Sequence, residues 1–283
     1  MSRLPLLLSM LVFAGGVGGL LAAQPPKEPT HNGKTLSEWV KQLTEGKEDE
    51  ALSAARALDE MTRHSDMVAD RLFATACQLA TDDKAASRKA LIVAVLTESG
   101  PRALPILTQN LYSEDVHARR VALVSLKDLG ADGQAAAPSI APLAANATEP
   151  TRRLAMEALH GVGGRVAISA LTKVLDDRNP GTRLTAGRYL VSLGADASVV
   201  LPVLTELLKE REQREQAAVW LGRLGQEGTP AVTALVALLP EAEELFLGTV
   251  VEVLGDIGPG AARPCPRSRS GSPTGRNFRR TSR

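Results

Sequence analysis

Residues 115–163 read DVHARRVALVSLKDLGADGQAAAPSIAPLAANATEPTRRLAMEALHGVG. Apolar residues recur at helical spacing as far as Leu129, Gly130 can cap the helix in the left-handed conformation, and a second apolar stretch follows Pro138 before the first pattern restarts at Arg152. The landmark in this stretch is a leucine followed four residues later by glycine. It occurs at Leu96/Gly100, Leu126/Gly130, Leu159/Gly163, Leu190/Gly194, Leu221/Gly225 and Leu254/Gly258, with spacings of 30, 33, 31, 31 and 33 residues. Seven residues before the leucine stands Lys89, Arg119, Arg152, Arg183 or Arg214 in five of the six units. Each unit reads as two helices. The second carries Leu107, Ile140, Leu171, Leu204 or Leu235, and Pro105, Pro138 and Pro202 lie two residues earlier, where a first helical turn tolerates a missing N–H. Neither helix can bury its apolar stripe alone, so stacked pairs are predicted to form an all-α solenoid over residues 84–262.

The flanks differ from this body. Residues 1–23 have one basic residue, Arg3, an apolar run and small residues before a cut after Ala23, which reads as a secretory signal peptide. The run is also about the 20 residues that span a bilayer, so an uncleaved anchor is the competing reading. Residues 24–33, with three prolines, read as a linker. The region 34–83 is helical with divergent repeats. It opens on Thr35 and Glu38 at capping-box spacing, and Trp39 is expected to close the first helix onto the repeats because Leu36 and Leu43 share its face. Residues 263–283 hold seven Arg and no acid, whereas the body from 27 to 262 carries a net charge of −7. An acidic body with only 3% aromatic residues suits neither phosphate binding nor base stacking, so no nucleic-acid partner is expected.

The stretches ARRVALVSLKDLGADGQAAAPSIAPLAANATEPTRRLAMEAL and TRLTAGRYLVSLGADASVVLPVLTELLKEREQREQAAVWLGRLG resemble HEAT repeats of the short bacterial type, similar to those of phycobilin-lyase-like proteins. The resemblance runs from about Lys84 to Gly258. It implies a right-handed superhelix of helix pairs whose second helices line a concave, partner-binding surface. On that surface the residues after the second-helix landmarks are the candidate contacts: Thr108, Gln109, Thr172, Lys173, Thr205 and Glu206.

No catalytic constellation emerges. His31, His64, His117 and His160 lack metal-ligand spacing. His64 and Asp66 read as a polar turn, and His160 as a side chain serving the carbonyls of a helix end. Cys77 lies among apolar residues and reads as a small hydrophobe. Cys265, in the tail, could form an intermolecular disulfide outside the cytoplasm. The run 161–164 (GVGG) follows a helix, not a strand, and reads as a repeat turn instead of a phosphate loop. Asp82/Asp83, Asp176/Asp177 and Glu241, Glu243 and Glu244 read as solvated helix-start acids. The basic column is expected to pair with acids such as Glu149, Asp177 and Glu210.

After Gly258 a second helix is due, but the chain reads CPRSRSGSPTGRNFRRTSR from Cys265. Back-translation with G or C chosen in most third positions, shifted by two bases from Pro264, gives LPALAQRLADRPELPAHLA, which restores the apolar spacing, so 263–283 reads as a disordered basic tail or a frameshift product. The helix at 242–254, with Phe246, Val250 and Leu254, is then expected to lack a partner and to fray or self-associate. These observations predict a non-catalytic protein-interaction scaffold of the cell envelope. It would be exported, use no cofactor, and touch membrane only through an uncleaved N-terminal segment. The alternatives are a bilin-lyase-like or other small-ligand enzyme, and a binder of anionic polymer or lipid through the basic tail.

Overall fold

The computed structural model describes residues 28–82, 85–241 and 244–258. The leader at 1–23, the tail at 263–283 with Cys265, and Asp83 and Glu243 lie outside them. The linker reading of residues 24–33 gives way at residue 30. Thr30–His31 (β1) pairs antiparallel with Lys34–Thr35 (β2), Thr30 opposite Thr35. Asn32 and Gly33 turn this hairpin with φ of 50° and 76°, the left-handed pair that a two-residue loop of matching twist requires. Trp39 Nε1 donates to the His31 carbonyl at 3.0 Å, which seats the hairpin on α1 (Leu36–Glu45). The predicted capping box opens α1: Thr35 N–H donates to Glu38 Oε2 at 2.7 Å and Glu38 N–H to Thr35 Oγ1 at 3.3 Å. Trp39 is buried with Leu36, Val40 and Leu43 against α2 (Glu48–Thr62) and α3 (Asp66–Gln78), as its shared helical face predicts.

Helix pairs follow in order. First helices are α4 (Ala86–Glu98), α6 (Val116–Leu129), α8 (Thr151–Val162), α10 (Pro180–Ser192), α12 (Arg214–Arg223) and α14 (Glu244–Ile257). Second helices are α5 (Leu104–Asn110), α7 (Ala137–Asn146), α9 (Gly164–Val174), α11 (Ala197–Leu207) and α13 (Val232–Leu238). First helices pack on first helices and join second helices along one continuous core. Leu96, Leu126, Leu159, Leu190 and Leu221 are fully buried there, as are Leu107, Ile140, Leu171, Leu204 and Leu235. The landmark glycines Gly100, Gly130, Gly163, Gly194 and Gly225 turn the chain with φ between 57° and 71°.

The same register recurs in the packing between units. A Cβ on Gly133, seven residues past its landmark, would stand 2.9 Å from Val162 Cγ1, and one on the equivalent Gly228 would stand 3.2 Å from Ile257 Cγ1. Val162 and Ile257 each lie three residues past the next landmark, so a missing side chain in one unit admits a branched side chain from the next.

Two local expectations change. Pro202 is not in a first turn, because Asp196 accepts from Ser198 N–H at 2.8 Å and starts α11 at Ala197, which places Pro202 inside the helix. The α14 face expected to be unpartnered is packed. Phe246 and Val250 are buried, the Arg214 guanidinium lies 4.7 Å from the Phe246 ring centroid, and Leu254 is half-buried. Among the described side chains, the large apolar residues that α14 leaves exposed are Leu247 and Val251. Among the described residues no single helix is long and apolar enough to cross a membrane.

Candidate functional site

The first-helix side of the solenoid opens between α4 and α6 into a groove of about 620 Å³. Half-buried Val93, Val121 and Val124 line it together with exposed Ala90 and Ala94. Ala90 and Ala94 stand six and two residues before the landmark Leu96. Those positions in α8 are Arg153 and Glu157, so the surface that is charged on α8 is small and apolar on α4. The lining changes sign along its length. Lys89 and Arg120 stand toward the starts of the two helices, with His117 beside them, and Glu98 and Asp128 toward their ends. The nine steps from Lys89 to Glu98 span about 13 Å of helix, or some two and a half turns. The groove can therefore take a segment with an apolar middle and opposite charges at its two ends. Periodicity alone does not reveal it; the small residues at the outward register positions of α4 are the signal that could have.

The candidate contacts form a row, one pair per helix, on α5, α9 and α11. Their threonines are partly committed to their own helices: Thr108 Oγ1 donates to the Leu104 carbonyl at 2.7 Å and Thr172 Oγ1 to the Ile168 carbonyl at 2.9 Å. Thr205 is half-buried, which leaves Gln109, Lys173 and Glu206 exposed. No hydrogen bond or ion pair joins these three, although Glu206 Oε1 lies 3.8 Å from Arg183 Nη2.

The basic column is held mostly by carbonyls of the turn before it. Lys89 donates to the Ala80 carbonyl at 3.3 Å, Arg119 to those of Ser113 and Glu114, and Arg183 to that of Asp177 at 3.1 Å. Arg152 makes the expected pairing with Glu149, at 3.1 Å, and with Asp177 of the next unit, at 2.8 Å. Arg183 meets Glu206 and not Glu210.

His160 lies in the last turn of α8, half-buried between units. Its ring stacks on Tyr189 of the next unit with centroids 4.6 Å apart, and Tyr189 in turn carries the Arg188 guanidinium 4.8 Å from its ring. Burial, then the Arg188 charge, hold His160 below the usual histidine value of 6.5. The half-buried Cys77 thiol is pushed up to about 11 by burial and by Asp115, far from the range of a thiolate nucleophile. His64 lies exposed, 4.0 Å from Glu60 Oε1. Gly163 caps α8 and α9 begins at Gly164, so the glycine run joins two helices. Among the described residues no group of three His, Cys, Asp or Glu side chains converges as a metal site.

A family model for HEAT repeats matches residues 137–220. No curated protein matches the chain. Among solved structures, the chain is similar to the archaeal HEAT-like repeats protein of Thermococcus onnurineus NA1, at 13% identity and a TM-score of 0.47, over 80% of this chain and 98% of that one. It is similar to YibA of Escherichia coli at 16% identity and a TM-score of 0.47, over 78% of this chain and 91% of that one. The complex of CpcE and CpcF of phycocyanin lyase from Nostoc sp. PCC7120 gives 20% identity and a TM-score of 0.38, over 82% of this chain and 98% of that one. Residues 137–220 are HEAT repeats, and the chain that carries them is an all-α, HEAT-type solenoid.

Proposed function

We propose that this protein is a non-catalytic, protein-binding scaffold exported to the cell envelope, and that the α4/α6 groove is where it grips a partner segment. The observation that carries the reading is the groove itself: valines and alanines bounded by Lys89 and Arg120 at one end and by Glu98 and Asp128 at the other. An apolar centre with a polar rim is the general anatomy of a protein contact. The charge reversal favours a short helix or extended segment that brings acid to Arg120 and base to Asp128. The row of Gln109, Lys173 and Glu206 lies on the second helices, away from the groove, and supplies a separate polar contact.

Photo-crosslinking in the producing cell tests this reading. A photoreactive residue at Ala94 is expected to yield a discrete protein adduct that Arg120→Glu weakens, and one at Val166, exposed on α9, is not. Adducts at Gln109 and Lys173 without any at Ala94 would move the grip to the second-helix row, and adducts at none of these positions would remove the scaffold reading. Export rests on residues 1–23. N-terminal sequencing of the mature protein is expected to begin at Gln24, and a Met1 start in a cytoplasmic fraction would exclude it. A small-ligand enzyme would instead need buried polar groups converging on a pocket, and incubation with linear tetrapyrroles is expected to leave their absorbance unchanged.

A further inference from the structure

The charges that line the α4/α6 groove run against their own helices. A helix favours acid at its start and base at its end, yet Lys89 and Arg120 stand toward the starts of α4 and α6, Glu98 closes α4, and Asp128 is the next-to-last residue of α6. Arg120 and Glu98 make no hydrogen bond or ion pair with any described residue. Their own helices do not account for these charges, and a segment entering the groove does. Among the described helices, α12 is the one with an acid in its first turn, Glu215, and a base in its last, Arg223. Val219 stands midway between them and is 38% exposed, so α12 turns outward a ridge that reads acid, valine, base at every fourth residue. The Arg223 guanidinium lies 4.5 Å from the Trp220 ring, which holds it on the helix surface, and Glu215 is exposed beside Thr249 of α14.

We propose that the α4/α6 groove receives α12 of a second copy of this chain. The inference rests on the groove being a protein-binding site and names its occupant. The repeat register makes the match layer by layer. Glu215 and Arg120 both stand six residues before their landmark leucines, Val219, Ala94 and Val124 two before, and Arg223, Glu98 and Asp128 two after. Arg120 to Asp128 and Glu215 to Arg223 are each eight steps, about 12 Å of helix. An α12 laid parallel to α4 and α6 therefore sets Glu215 against Arg120, Val219 on Ala94 and Val124, and Arg223 between Glu98 and Asp128, as a ridge seated in a groove. An antiparallel α12 would set Glu215 on the acids and Arg223 on the bases. The ends of the same chain do not suit the groove, because residues 1–27 and 259–283 contain no acid to answer Lys89 and Arg120. Groove and ridge are different surfaces, so each copy gives one and receives one.

Sedimentation velocity of the purified full chain across a concentration series tests the assignment. The parent is expected to associate as concentration rises. Arg120→Glu and Glu215→Arg should each raise the apparent dissociation constant about tenfold or more, because each sets like charges together. An equimolar mixture of the two variants should recover association, since every groove then meets an α12 of opposite charge. Val166→Arg on α9 should associate as the parent does, and circular dichroism should show unchanged helicity in each variant. A parent that stays monomeric, a charge variant that associates like the parent, or a mixture no better than its components would overturn the proposal. A cellular adduct at Ala94 with a different protein, beside a monomeric purified chain, would overturn the self-association and leave the groove a binding site. With no adduct at Ala94 either, both readings fall.

Discussion

His160 shows how a surface-spaced residue becomes part of an interface. Its imidazole sits between units, stacked on Tyr189, and burial followed by the Arg188 charge disfavours its protonated form. The unfolded chain takes up this proton as pH falls through about 6.5, and the folded chain resists it until a lower pH. Stability is therefore expected to decline between pH 6.5 and the depressed folded value, and to level off below it. His160→Phe keeps the stacking and removes the titration. Urea midpoints measured in this window should fall with pH in the parent more steeply than in the variant, and equal slopes would show that His160 does not contribute.

Glycines of opposite effect mark the elements. Gly130 ends α6 with φ 57° and ψ −134°, a conformation close to glycine-only, while the nearest atom to an added Cβ is Gly161 O at 4.0 Å. The cost of Gly130→Ala is thus conformational, about 1–3 kcal/mol. Gly248, inside α14 with open space around it, should gain about 0.5–1 kcal/mol on replacement by alanine. Thermal midpoints should move in opposite directions. Leucine–glycine landmarks make the helix pairs legible because burial and a left-handed turn each admit few residue types, and the same demand recurs in every unit. The Thr30–Thr35 hairpin is less legible: its Asn-Gly turn is specific, but two-residue strands leave no alternation to read. Pro202 misleads because Asp196 caps α11 from further upstream than the proline suggests. The α4/α6 groove escapes a reading by periodicity alone, its one signal being the small residues at the outward positions of α4. Ala90 and Ala94 look like ordinary helix formers until the neighbouring helix is in place and leaves them uncovered.

At the scale of the whole molecule, each unit is supported by its neighbours, so a local weakness in the stack is not averaged away. The first-helix layer is filled between α6 and α8, where Gly161 lets the helices approach, and is open between α4 and α6. Native-state hydrogen exchange is expected to show α1 to α4 opening together at lower free energy than α6 to α10. Uniform protection across that boundary would contradict the assignment of a weak junction. A partner segment in the groove should raise protection on both sides of it, since it supplies the missing contacts. The open groove also has a mechanical consequence. It is a notch on the first-helix side of a stacked column whose units remain joined behind it by the packing of α5 on α6, so bending concentrates there. Flexing toward the notch meets a gap, and flexing away from it strains packed helices. The column is a beam with one compliant joint, and its stiffness is set at α4 and α6 by whether the notch is filled.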